Sequence, residues 1–161
     1  MTDEYFSADV SEFLFLLSKY EAQYLIVDGE AVIYYGHARL TGDIDVFYGT
    51  SPGNVEALFG ALNEFWDGDI PGIGDRKELA KKGMVFQFGV PPNRIDLIND
   101  IQGIKFAPAW KRRTKEMIPH GRKKFGIFYI GLEDLLMNKK AAGRPRDLED
   151  LKFLLKARKK Q

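Results

Sequence analysis

The sequence predicts an α/β (α+β) domain: a small mixed sheet flanked by helices and followed by C-terminal helices. Three observations predict it. Short apolar runs of strand length recur at Tyr24–Val27, Asp43–Tyr48 and Arg94–Ile98. Segments with apolar residues at helical spacing lie between and after those runs. A stiff Pro91-Pro92-Asn93 turn separates two strand-like runs, which marks a hairpin.

Each element follows in chain order. Ser11 to Tyr20 belongs to a first helix, with Val10, Phe13, Leu14 and Leu17 at helical spacing and Ser7 or Asp9 as its cap. Tyr24-Leu25-Ile26-Val27 is apolar throughout and reads as a buried strand ending at Asp28-Gly29. Ala31 to Tyr35 is a short helix closed by Gly36, and Arg39-Leu40-Thr41-Gly42 is a turn. Asp43 to Tyr48 alternates as a strand does, and Ser51-Pro52 opens a helix through Val55, Leu58, Phe59 and Leu62 that ends near Asp67. Asp67 to Asp75, rich in glycine, is a loop, and Lys77 to Lys82 is a helical turn. Met84–Val90 and Arg94–Ile98 form the hairpin. Residues 105–125 are basic and irregular, with room for one helical turn and one edge strand, and Gly126–Ile130 is a further strand. Two helices, Leu132–Ala142 and Pro145–Lys159, close the chain around Gly143-Arg144. The second has acids early and bases late, which complements the helix dipole. No internal repeat or linker interrupts residues 1–161, so one domain is expected, with its core over about residues 10–104 and a basic part from 105.

Composition excludes several chemistries. The absence of cysteine removes disulfides, thiolate zinc sites, iron–sulfur clusters and a cysteine nucleophile. Two separated histidines, His37 and His120, cannot form a histidine-rich metal site. The acidic N-terminus does not read as a signal peptide and no apolar run reaches spanning length, so a soluble cytoplasmic protein is expected, with no membrane partner. A formal charge of +1 hides a strong asymmetry. Residues 1–104 hold 17 acidic against 7 basic side chains, and residues 105–161 hold 6 against 17. The first part calls for cations and the second suits phosphates, unless the two simply neutralise each other.

The candidate chemistry lies in three aspartates. Asp43 and Asp45 sit two apart in a strand, on one face and about 6.5–7 Å apart along it. Carboxylates so placed can reach the same pair of metal ions, which in two-metal sites lie about 3.5–4 Å apart. Asp96 interrupts the apolar strand Arg94–Ile98, and there it needs a partner, either a shared metal or a neighbouring Arg or Lys.

The segment VDGEAVIYYGHARLTGDIDV, a glycine turn after a strand followed by an Asp-x-Asp pair and a later third acid, resembles the nucleotidyltransferase superfamily of the DNA polymerase beta type. The tail Lys139-Lys140-Ala141-Ala142-Gly143-Arg144-Pro145-Arg146-Asp147-Leu148-Glu149-Asp150-Leu151 is similar to the ending of its small bacterial branches, including relatives of abortive-infection toxins. The resemblance implies a nucleotidyltransferase-like fold and Mg²⁺-dependent transfer of a nucleoside monophosphate from an NTP to an acceptor hydroxyl. It implies two Mg²⁺ ions, replaceable by Mn²⁺, held by Asp43, Asp45 and Asp96, with Asp96 helping to deprotonate the acceptor. Gly29, Glu30, Arg39, Thr41, Lys139, Arg144 and Asp147 would form the nucleotide site, with Lys139 and Arg144 over a cleft and Asp147 orienting them.

The acceptor would be RNA, gripped by Lys111-Arg112-Arg113 and Arg122-Lys123-Lys124 with Trp110 and Phe125 stacking, and a cognate antitoxin would be the partner. A small cationic acceptor of antibiotic type is the alternative within the same chemistry. A catalytically inactive binding or regulatory protein is the alternative outside it. The chain departs from the family at Asp28, which stands in place of the usual first glycine, with Glu30 two residues on. Two acids beside a triphosphate site oppose anion binding unless cations offset them. Asp28 is thus compatible with a harmless strand-end hydrogen bond, with weak or unusual NTP use, or with lost activity.

Overall fold

The computed structural model describes residues 5–159. Helix α1 (Ala8–Lys19) starts where the Ser7 hydroxyl accepts the Val10 amide at 3.3 Å, so Ser7 rather than Asp9 is the cap. Strand β1 (Tyr24–Val27) is buried on both faces, as its unbroken apolar run requires. Helix α2 (Asp28–Tyr34) follows it directly and begins three residues earlier than the apolar spacing suggests. Strand β2 (Asp43–Tyr48), helix α3 (Pro52–Phe65) and the helical turn α4 (Lys77–Ala80) come next, with Pro52 in the first turn of α3. The expected hairpin is β3 (Val85–Phe88) with β4 (Arg94–Ile98).

The basic segment is more regular than its composition suggests. It forms helix α5 (Phe106–Lys111) and strand β5 (Thr114–His120), which pairs along its whole length with β6 (Lys123–Tyr129). β6 therefore starts three residues before the expected Gly126. Lysines hid this hairpin in the sequence: Lys123 and Lys124 are exposed at the start of β6, and Lys115 is exposed on the edge strand β5, where charge guards against further pairing. The Lys115 stem lies across Gly126, where a Cβ would come within 2.5 Å of it. Helices α6 (Leu132–Ala142) and α7 (Pro145–Lys159) end the fold. Between them Gly143 takes φ +64°, a left-handed value that glycine adopts without strain.

The six strands form one mixed sheet in the order β3-β4-β2-β1-β6-β5. β2 runs parallel to β4 and antiparallel to β1, while β6 runs parallel to β1. This is the expected small mixed sheet flanked by helices. The β2–β4 register sets Asp43 opposite Arg94 and Asp45 opposite Asp96, so it assembles the site. Among the described residues no helix is long and apolar enough to cross a membrane.

Asn54, buried in the first turn of α3, ties that helix to the sheet. It accepts the Gln23 amide at 2.6 Å and donates to the Gln23 and Gly49 carbonyls at 2.9 and 2.7 Å. Asn54→Ala leaves three backbone groups without partners, at about 1–3 kcal/mol each before relaxation. We expect a loss of about 2–3 kcal/mol in urea unfolding, with an unchanged m-value.

Candidate active site

Three aspartates from two adjacent parallel strands meet at one end of the sheet. Oxygens of Asp43, Asp45 and Asp96 all lie within 4.8 Å of one another. Asp43 and Asp45 are half-buried, and Asp96 is only 5% exposed. Arg94, on the same strand face as Asp96, reaches Asp43 Oδ2 at 2.6 Å and Asp96 Oδ2 at 3.2 Å. Its Nε lies 3.1 Å from Asp96 Oδ1, yet both atoms are buried without an aligned hydrogen bond. One guanidinium thus faces three carboxylates. Burial, followed by the charges of Asp28, Asp43 and Asp96, pushes Asp45 up to about 8. Burial also raises Asp96, although Arg94 opposes the rise.

This donor set fits a hard divalent cation. All the ligands are carboxylate oxygens, the group is short of positive charge, and the buried Asp96 Oδ1 accepts no aligned hydrogen bond. Sequence reasoning left Asp96 with either a metal or a neighbouring basic residue; in the structure the neighbour is Arg94.

Gly29 and Thr41 shape the rim. The Thr41 hydroxyl lies 3.2 Å from both Asp43 Oδ1 and the Asp43 carbonyl. It packs so closely on Gly29 that a Cβ there would meet Thr41 Oγ1 at 2.6 Å. Any side chain at position 29 displaces Thr41 and, through it, Asp43. Glu30 is half-buried, accepts the Tyr5 hydroxyl at 2.8 Å, and is raised chiefly by burial.

A second knot of acids adjoins the first. Asp28, Asp147 and Asp150 surround the Lys139 ammonium, which contacts Asp28 Oδ1, lies 3.1 Å from Asp147 and lies 3.2 Å from Asp150. Lys139 is 1% exposed, so it does not swing over a cleft as its position at a helix end suggested. Burial works to lower its pKa, but the surrounding carboxylates outweigh it and hold the pKa above the ordinary lysine value. Asp150 also accepts Arg39 Nε at 3.0 Å and contacts His37 Nδ1 at 3.1 Å. Asp147 accepts Arg144 Nε at 2.6 Å, the orienting contact expected of it, while much of the Arg144 side chain stays exposed. Burial tends to raise Asp147, yet Arg144 and Lys139 together lower it. Asp28 takes a left-handed φ of +52° and turns into this knot. Its charge is thereby offset by Lys139, with Arg39 3.9 Å away.

Beside the triad opens a cleft of about 670 Å³, lined among others by Arg39, Thr41, Asp43, Arg94, Arg146 and Asp150. Arg94 and Arg146 were given no role from sequence. Arg94 carried a legible signal, since it stands two residues before Asp96 in a strand. Arg146 carried none, because nothing local aims a helix residue at a distant strand.

The basic hairpin uses its aromatics internally. Phe125 is buried against Phe15 and His120, so it is not free to stack on a base. Arg113 lies 3.9 Å over the Trp110 ring, and Arg112 forms a two-pronged pair with Asp134 at 2.9 and 2.8 Å. Lys111, Arg122, Lys123 and Lys124 remain exposed.

A family described as nucleotidyltransferase of unknown function (DUF6036) matches residues 8–154, and the chain belongs to that family. The match spans both aspartate knots, all of α6, and α7 as far as Leu154. No curated protein matches the chain.

Two outcomes are expected. Asp45 has a folded pKa near 8 against an ordinary 3.8, so its contribution to stability is complete below about pH 4 and is lost as pH rises through about 8. The thermal midpoint of metal-free protein should therefore fall over that window relative to Asp45→Asn, and the stabilisation by added Mg²⁺ should grow with pH. Lys139→Met leaves three carboxylates without their central cation, and denaturant titration should show a loss of about 3–5 kcal/mol.

Proposed function

We propose that this protein transfers a nucleoside monophosphate from an NTP to an acceptor hydroxyl, with Mg²⁺ as the physiological cofactor and Mn²⁺ as a substitute. The observation that supports this most is the convergence of Asp43, Asp45 and Asp96 with a deficit of positive charge. Asp43 and Asp45 would hold two Mg²⁺ ions, which supply charge stabilisation at the attacking and leaving oxygens of an in-line displacement. Asp96, with one buried oxygen free of an aligned hydrogen bond, completes the ligand set and accepts the proton of the acceptor hydroxyl. Arg94 keeps Asp43 and Asp96 turned towards each other.

The cleft beside the triad offers the nucleotide phosphates Arg39, Arg94 and Arg146, set among Asp43, Glu149 and Asp150. Gly29 and Thr41 define how close the donor comes to Asp43. Glu30 borders this rim. Lys139 acts behind the wall: it neutralises Asp28 and, through Asp147, which also pairs with the exposed Arg144, anchors α6 and α7 to α2. This arrangement answers the difficulty posed by an acid at position 28, since its charge is met within the protein.

RNA is the acceptor class we favour, on charge alone, because the β5–β6 hairpin and the adjoining end of α5 expose Lys111, Lys115, Arg122, Lys123 and Lys124. A toxin-like role with a protein antitoxin is the version of this reading in which that RNA is the cell's own, and the NTP supply places the reaction in the cytoplasm.

The test is label transfer from α-³²P NTPs with Mg²⁺ and total RNA. Wild-type protein should label RNA, increasingly weakly as salt rises, and Asp43→Asn combined with Asp45→Asn should reduce transfer at least about a thousandfold with the fold intact. Label appearing on small amines instead of RNA would move the acceptor to the antibiotic type. No transfer to any pool, together with no heat on adding Mg²⁺ and NTP, would leave a binding protein and sink the enzyme reading.

A further inference from the structure

On the α2 side of the β5–β6 hairpin lies a separate cavity of about 310 Å³, lined by Tyr5, Ile33, Tyr34, Glu116 and Tyr129. That volume accommodates a small organic group. Its floor is Tyr129, fully buried, whose ring stacks on Tyr34 with centroids 4.0 Å apart. Its walls hold one tyrosine–glutamate pair, in which the Tyr34 hydroxyl donates to Glu116 at 2.8 Å, while the lining Tyr5 hydroxyl donates at 2.8 Å to Glu30, which is not itself part of the lining.

The direction of these bonds decides what the cavity can take. A phenol has one hydrogen. Tyr5 and Tyr34 have committed theirs to the glutamates, so both present only lone pairs. Glu30 and Glu116 are acceptors too, and their hydrogen-bond partners among the described residues are those phenols. Arg39 eases the charge on Glu30 from a distance, but its guanidinium is engaged by Asp150. The Tyr129 hydroxyl is buried with no hydrogen-bond partner, and it feels the charges of Glu30, Tyr5 and Tyr34 around it. An unpartnered buried hydroxyl is uncommon and calls for a missing group. The cavity therefore combines aromatic faces, the Glu116 carboxylate, a second carboxylate reached through Tyr5, and oxygens with few hydrogens left to give.

We propose that this cavity is a binding site for the protonated amino group of a small organic ligand. A primary ammonium supplies three N–H donors and a positive charge on a compact head. Those are the properties that Glu116, Glu30, the phenol lone pairs and the Tyr129 hydroxyl lack among themselves, and the aromatic rings add attraction for a cation. The site is distinct from the aspartate triad and does not depend on nucleotidyl transfer. Glu30 joins the two, because it lies next to Gly29 on α2 and senses both Asp43 and the Tyr5 hydroxyl.

The test is calorimetry and thermal shift on the full chain with saturating Mg²⁺, so that the triad is occupied, using n-butylammonium as the probe. Binding should be saturable, and n-butanol, of the same shape without charge, should bind at least about tenfold more weakly. Tetramethylammonium, a cation with no N–H, should also be weaker by about tenfold. Glu116→Gln, which keeps an acceptor for Tyr34 but removes the charge, should weaken n-butylammonium about tenfold or more, while Asp45→Asn leaves it unchanged. Should Glu116→Gln fail to fold by circular dichroism, Tyr129→Phe replaces it and should weaken binding several-fold. The proposal is overturned if n-butylammonium does not bind, if tetramethylammonium or n-butanol binds equally well, or if Asp45→Asn abolishes binding while the cavity variants retain it.

Discussion

Carboxylate repulsion is the constraint around which this end of the molecule is arranged. Six aspartates form two neighbouring knots, close enough that Asp28 of one raises the pKa of Asp45 in the other. The knot of Asp28, Asp147 and Asp150 is neutralised from within: Lys139 sits among the three, and Arg39 and Arg144 satisfy remaining oxygens. Against Asp43, Asp45 and Asp96 stands, among the described residues, Arg94. Burying like charges is costly unless a cation lies between them. The difference between the knots thus separates a structural anchor from a site that waits for a ligand.

The anchor also explains how a short chain organises a cleft. Helices α6 and α7 make few sheet contacts of their own, yet Lys139 and Asp150 connect them to α2 and to the Arg39 turn. That turn carries Thr41, which packs on Gly29 and bonds to Asp43. A continuous path of contacts therefore runs from the terminal helices to the triad. A substitution in α7 that frees Arg39 would alter the cleft without touching a metal ligand.

Much of the fold was legible locally. The apolar runs of β1, β2 and β4 and the proline turn between β3 and β4 announce themselves, because burial and turn geometry act over a few residues. The helical turn, the edge strand and the strand at Gly126 were legible as α5, β5 and β6, but the strand bounds were obscured because the lysines of the hairpin read as loop. For the site, Asp43 and Asp45 were legible from their spacing in a strand, and Asp96 from its isolation in an apolar one. Arg94 stood at the same two-residue spacing and was nonetheless passed over.

What the linear chain decides here is which residues are available: three strand aspartates, a glycine before them, a Lys and an Asp-x-x-Asp in the tail, and a family to which these belong. Tertiary structure decides which charges meet. Lys139 and Arg144, five apart in the chain, share Asp147, but one is sealed among acids and the other extends into solvent. Phe125 packs into the core rather than facing a ligand. Tyr5 ahead of α1, Tyr34 on α2, Glu116 on β5 and Tyr129 on β6 enclose one cavity. Strand register and helix packing set these meetings, and electrostatic energy depends on distances of a few ångströms that no local pattern encodes.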